Sequence, residues 1–122
     1  FCAINLSDNL KPWSLIERRL ELAARAGFVI ALYNPASRAR PTQVHAAITL
    51  LRAHRPASTQ VALARAVGRA DEALLVTSLG EVDPSLADMR TLILVGAEST
   101  RRITRRSGPP WLYTPRSVES AS

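Results

Sequence analysis

Apolar residues recur with helical spacing in a first stretch of the chain, and charged residues occupy the opposite face. The apolar positions are Trp13, Ile16, Leu20 and Ala23. Pro12 stands at the first helical position, and Ser14 and Glu17 have the spacing of a capping box. Gly27 follows where a C-terminal cap belongs. The pattern predicts a surface helix between Pro12 and Gly27.

A second helical stripe begins after Pro41, which is placed to open a helix. Its apolar positions are Val44, Ala47, Ile48 and Leu51. Residues 52–55, which are polar except for Ala53, and then Pro56 end it. A shorter helix is predicted from the N-cap pair Asp83 and Pro84 through Met89.

Short runs of strand-forming residues separate these helices. They cover residues 1–4, 28–33, 60–66, 72–79 and 91–95. The run at 28–33 is continuously apolar, which is typical of a strand buried on both faces. Residues 67–71 are few enough to form a hairpin, so the sheet should be mixed. The pattern predicts an α/β fold with a mixed β-sheet of about four to five strands flanked by helices.

Length and composition limit the function classes. A chain of 122 residues with 47% hydrophobic content suits one domain. Cys2 is the single cysteine and excludes an internal disulfide framework, and His45 and His54 do not form a metal-ligand set. We expect no bound metal, a cytoplasmic location and, without a long apolar run, no membrane span. The net charge of +6 comes almost wholly from arginine. This excess permits an anionic substrate or nucleic acid as partner, but genome composition explains it equally well.

Two strand ends are the candidate sites, because ligands of open α/β sheets bind outside the carboxyl ends of strands. One is Asn34 with Pro35, and the other is the loop between Arg65 and Arg69. A plain turn explains the first equally well, and a solvated hairpin end explains the second. Motifs for a nucleophilic serine, a zinc protease or a redox dithiol are absent, so no catalytic residue is assigned.

Read in order, these segments resemble the C-terminal part of the tetrapyrrole methylase family, closest to the members that methylate precorrin-3B at C(17) in cobalamin biosynthesis. The resemblance spans nearly the whole chain. Its carriers are residues 1–8, 12–13, 16–20, 31–35, 51–56, 68–69, 77–83, 88–89 and 113–116.

The resemblance implies a homodimeric enzyme that binds S-adenosylmethionine in a cleft between two domains. The enzyme would methylate a tetrapyrrole and contract the tetrapyrrole ring in the same reaction. The missing N-terminal domain would carry the glycine-rich donor motif. Residues 1–11 would end that domain and form a linker, 12–104 would form the C-terminal domain, and 105–122 a polar, weakly ordered tail. The implied donor-binding residues are Asn34, Pro35, Ala66 and Val67. The tetrapyrrole substrate, precorrin-3B or its cobalt analogue, carries carboxylates, for which the candidate ligands are Arg38, Arg40, Arg65 and Arg69.

Three alternatives stay open. The first is another member of the same superfamily with a different acceptor. The second is an arginine-rich nucleic-acid module, although aromatic residues make up only 5% of the chain and the basic cluster at 101–106 lies outside the predicted core. The third is a non-catalytic dimerisation domain. We expect no nucleic-acid partner and no membrane partner.

Overall fold

A five-stranded mixed sheet with two helices packed against it forms the body of the computed structural model. The structure describes residues 1–7, 11–34, 42–65, 73–88, 90–103 and 111–113. The helices are α1 (Trp13–Arg25) and α2 (Gln43–His54). The strands are β1 (Cys2–Asn5), β2 (Ile30–Tyr33), β3 (Gln60–Arg65), β4 (Ala73–Ser78), β5 (Thr91–Val95), β6 (Arg101–Ile103) and β7 (Trp111–Tyr113). The predicted fold class is confirmed.

The order of strands across the sheet is β1-β2-β5-β3-β4. Strands β1 and β2 are parallel, and β5 runs antiparallel to both β2 and β3. Strands β3 and β4 pair antiparallel over their full lengths, as the short connection predicted. The last of the five strands in the sequence therefore lies in the middle of the sheet.

Both helices bury their apolar stripes against one face of this sheet, where alternate residues of the strands point. The buried side chains from the strands are Ile4, Ile30, Leu32, Val61, Leu63, Ile93 and Val95. Those from the helices are Ile16, Leu20, Ala23, Ala24, Val44, Ala47, Ile48 and Leu51. Strand β1 pairs with β2, and its Ile4 contributes to the same core. The domain boundary near residue 11 stays a prediction.

The N-terminal end of α1 differs from its prediction. Pro12 is the capping residue itself, in extended conformation, and no side chain caps the helix. Ser14 therefore lies within the first turn, where it cannot form the predicted capping box with Glu17.

The C-terminal end of α1 follows its prediction. Gly27 has a φ of 79°, the left-handed conformation that glycine adopts without strain. Its N–H donates to the Ala24 carbonyl at 3.3 Å, and the Phe28 N–H donates to the Ala23 carbonyl at 3.2 Å. These two bonds form a Schellman motif, which ends the helix and turns the chain toward β2.

Other element boundaries needed correction. Strand β2 begins at Ile30, and Phe28 is 49% exposed because the Schellman turn occupies the first residues of the apolar run. The side chain of Asp83 accepts the Ser85 N–H as predicted, but only a single 3-10 turn follows, and it ends when Ala87 becomes extended. The predicted end of that helix, Met89, lies outside the described residues.

Strands β6 and β7 form a separate two-stranded antiparallel sheet that the sequence did not predict. Residues 101–106 were predicted to lie outside the core and residues 105–122 to form a polar tail, and here Arg101 pairs with Tyr113 and Ile103 with Trp111. Three-residue strands leave a periodic signal too short to recognise in a sequence.

Candidate functional site

The structure brings the two predicted strand ends to the same edge of the sheet. Asn34 directly follows β2, in which Leu32 pairs with Ile93 of β5, so Asn34 is level with Thr91. Arg65 ends β3 and pairs with Thr91 directly. Asn34 and Arg65 therefore flank the start of β5, separated by two strand spacings, or about 10 Å.

Asn34 is held in a defined orientation by Asn5, the last residue of the neighbouring parallel strand. The backbone of Asn34 is left-handed, with a φ of 53°, which asparagine tolerates better than most residues. Its Nδ2 donates to Asn5 Oδ1 at 3.0 Å, and the same oxygen accepts the Ser7 N–H at 2.9 Å. Because a backbone N–H can only donate, this network fixes both amides and leaves Asn34 Oδ1 as an acceptor.

Sequence reasoning missed Asn5. The available signal was that β1 and β2 both end in asparagine, Ile-Asn and Tyr-Asn. It becomes informative only once the two strands are known to be parallel and adjacent, with Asn5 level with Tyr33.

Arg65 forms an ion pair at the other side of this edge. Its Nη2 lies 3.0 Å from Asp88 Oδ2, and the two side chains are 54% and 42% exposed. The Asp88 carboxylate also accepts the Arg90 N–H at 2.8 Å and the Thr91 hydroxyl at 3.1 Å. Desolvation acts to raise the pKa of Asp88, but these hydrogen bonds and the charges of Arg65 and Arg90 outweigh it and lower the pKa below its usual value.

The remaining predicted site residues are Pro35, Arg38, Arg40, Ala66, Val67 and Arg69. All of them lie outside the described residues. They occur in the two segments that follow Asn34 and Arg65 in the sequence, so both segments start from the edge described above. Their roles in donor and substrate binding stay predictions.

A buried arginine joins elements at the opposite end of the sheet. Arg55 follows α2 and is 9% exposed. It donates to the carbonyls of Gly96 at 2.6 Å, Ala23 at 3.3 Å and Ala24 at 3.5 Å, and also to the Phe28 carbonyl. Burial lowers the pKa of this guanidinium from its usual value. Arg55 thus ties the C-terminus of α1 to the end of β5, and its role is structural.

A cavity of about 230 Å³ lies at the same end of the sheet, where β3 begins and β5 ends, and so away from the edge that carries Asn34. It is lined by Pro56, Ser58, Thr59, Gln60, Ala97, Glu98, Thr100 and Arg101. We assign the candidate site to the other edge, because both predicted strand ends meet there and ligands of α/β sheets bind at such ends.

The described part of the chain contains no group of three or more histidine, cysteine, aspartate or glutamate side chains that could hold a metal ion. In the same residues, no helix combines the length and the apolar character that crossing a membrane requires.

Comparison with known proteins relates this whole arrangement to one group of enzymes. The chain is 56% identical over all of its 122 residues to a precorrin-3B C(17)-methyltransferase of Sinorhizobium sp., of which it covers 48%. It is 43% identical over 100 residues to a probable cobalt-factor III C(17)-methyltransferase of Salmonella typhimurium, with 82% of this chain and 42% of that protein covered. No family model matches the chain.

A solved structure extends the similarity to the fold. The crystal structure of the methyltransferase CobJ superimposes with a TM-score of 0.84 at 47% identity, covering 94% of this chain and 46% of that one. The chain thus spans about half the length of the relatives it matches. It is a homologue of one part of these C(17)-methyltransferases.

Proposed function

We propose that this chain, as a homologue of one part of the C(17)-methyltransferases, forms one wall of the active-site cleft of such an enzyme. The enzyme transfers a methyl group from S-adenosylmethionine to C(17) of precorrin-3B or of its cobalt analogue and contracts the ring. The observation that carries the proposal is the similarity over the entire chain to a protein of that name, together with the shared fold.

Methyl transfer from a sulfonium needs little from acid or base catalysis. The electron pair of the breaking carbon–sulfur bond stays on sulfur, and the methyl carbon forms its new bond to the acceptor carbon. The protein contributes alignment of the two reactants and exclusion of water. A site made of binding groups, such as Asn34 and Arg65, is what this chemistry requires.

The two described groups suit different parts of the reactants. The Asn34 amide oxygen, left as an acceptor by its bond to Asn5, suits an N–H donor such as an amino group of the adenosyl moiety. The Arg65 guanidinium suits a carboxylate. Pro35, Ala66 and Val67 would complete the donor contacts, and Arg38, Arg40 and Arg69 those to the tetrapyrrole carboxylates.

The proposal also covers the second domain of the enzyme, its oligomeric state and its location. A second domain supplies the glycine-rich part of the donor site, the enzyme works as a homodimer, and it acts in the cytoplasm. The homologues match this chain over only about half of their own length, which agrees with a second domain in the working enzyme.

The test is a methyl-transfer assay of the full gene product with labelled S-adenosylmethionine. Precorrin-3B and cobalt-factor III are offered in parallel, because the relatives carry both names. We expect one of them to gain a methyl group and to become the ring-contracted product, identified by mass and absorption spectra. Failure to methylate either, with folded protein and fresh substrate, overturns the proposal.

Asn34→Gly examines the donor site specifically, because glycine keeps the left-handed backbone and removes only the side chain. Loss of one neutral hydrogen bond should raise the KM for S-adenosylmethionine about fivefold. Ser14→Ala, an exposed change on α1, is the matched control and should leave the KM unchanged. An unchanged KM in Asn34→Gly would remove Asn34 from the donor site.

A further inference from the structure

Among the described residues, the guanidinium of Arg65 has an ionic partner on one side. Within the described part of the chain, its ionic contact is Nη2 to Asp88 Oδ2 at 3.0 Å. A guanidinium offers five N–H donors in a planar fork, so within the described ranges Nε and Nη1 have no ionic partner and suit a second anion. The side chain is 54% exposed, and a ligand at the sheet edge can reach it.

Asp88 is fixed more firmly than an ordinary surface carboxylate. Its Oδ1 accepts the Arg90 N–H and the Thr91 hydroxyl, while Thr91 Oγ1 accepts the N–H of Asp88 itself at 3.0 Å. Thr91 is 4% exposed and pairs with Arg65 in the sheet. Asp88 Oδ1 is thus bound by Arg90 and Thr91, and Asp88 Oδ2 contacts Arg65.

Stability does not account for this arrangement. Half-exposed ion pairs contribute little to folding, because solvent screens them and both side chains lose freedom. The bracing has a clearer consequence for binding. An arginine that is already oriented loses less rotamer entropy when it captures an anion, and it presents its remaining donors in a fixed direction.

We propose that Asp88, braced by Thr91, is a positioning residue that holds the Arg65 guanidinium ready for a carboxylate of a bound reactant. The inference rests on the proposed function for the identity of the reactants. Two reactants carry such a group, the methionine moiety of the donor and the acetate and propionate side chains of the tetrapyrrole. Both suit the same fork of donors.

Asp88→Asn in the full gene product tests the inference, because the amide keeps an acceptor for the Arg90 and Thr91 bonds and removes the charge facing Arg65. We expect the KM of one reactant to rise about fivefold, the upper range for a half-exposed ion pair, with kcat within about twofold. A rise for S-adenosylmethionine assigns the carboxylate to the donor, and a rise for the tetrapyrrole assigns it to the acceptor. Glu21→Gln, which breaks the exposed pair with Arg25 on α1, should change neither KM.

The double variant separates positioning from general structure. If Asp88 acts through Arg65, Asp88→Asn adds nothing in an Arg65→Gln background, whereas an independent structural effect would add to it. The inference is overturned if Asp88→Asn leaves both KM values unchanged, or if the effects of Asp88→Asn and Arg65→Gln on KM simply add in the double variant. As long as the wild type is active, either outcome leaves the proposed function intact. An inactive wild type contradicts the proposed function instead. Binding of uroporphyrin, an octacarboxylate tetrapyrrole, then decides on Asp88: weaker binding in Asp88→Asn supports its role, and equal binding refutes it.

Discussion

Replacement of the buried Arg55 by alanine should strongly destabilise the fold. The guanidinium is buried and donates to four backbone carbonyls, at the ends of α1 and β5 and at the start of the segment that leads into β2. It also lies at the C-terminus of α1, where the helix dipole favours a positive charge. Alanine would leave these carbonyls with fewer partners and create space between the elements.

The expected magnitude follows from these contacts. Hydrogen bonds from a charged donor contribute about 1.5–3 kcal/mol each, offset by the cost of desolvating the guanidinium. Removing one partner from a buried charged network typically costs about 3–5 kcal/mol. With an unfolding entropy of about 0.26 kcal/mol/K for a chain of 122 residues, Tm should fall by roughly 12–20 °C.

Thermal and urea unfolding followed by circular dichroism would measure the change. Arg55→Lys keeps the charge without the planar fork, and its loss should be intermediate. Arg19→Ala on the exposed face of α1 is the matched control, with an expected change within about 0.5 kcal/mol. A loss below about 1 kcal/mol in Arg55→Ala would show that the four carbonyl bonds only balance the desolvation cost, and would refute the reasoning.

Three further variants test local features by urea unfolding. Gly80→Ala should cost about 1–3 kcal/mol, because its Cβ would lie 2.8 Å from the Cβ of Ala57; an unchanged midpoint would contradict this contact. Arg52→Ala should cost about 1–2 kcal/mol through loss of its bonds to two carbonyls after β4. Hydrogen bonds from the Ser85 hydroxyl and N–H lower the pKa of Asp83. The contribution of Asp83 to the free energy of unfolding is therefore present above its unfolded-state pKa and is lost as the pH falls through its folded-state pKa. Asp83→Ala should accordingly lose less stability than wild type between about pH 5 and pH 2.

The elements of the sheet could be predicted because their signals are local. The stripe of α1 recurs every three to four residues, and Gly27 marks its end with the conformation that a C-terminal cap needs. The order of the strands could not be predicted this way. Nothing in residues 91–95 indicates that they pair with both β2 and β3. Their position depends on which strand edges of the other four strands remain unpaired, and that is not encoded in this segment.

The candidate site was also predicted only in part. Asn34 and Arg65 were singled out as strand ends, and the register places them at one edge. The residues that orient them, Asn5 and Asp88, were given no such role, because each is distant in the sequence from the side chain it holds. Arg55 was missed for a related reason: an arginine at a helix end predicts a solvated side chain, and only the packed elements around it make it a buried one.

The central position of β5 has a consequence for how the chain is made. On the ribosome, β1 with β2 and β3 with β4 can each pair as they emerge, but β2 and β3 keep bare edges until Val95 is synthesised. Completing the sheet then requires contacts that span some sixty residues of sequence in the β2–β5 pair, which slows folding. Before that step, two open strand edges are available for pairing with another chain, so aggregation should be most severe for nascent or truncated chains that stop short of β5.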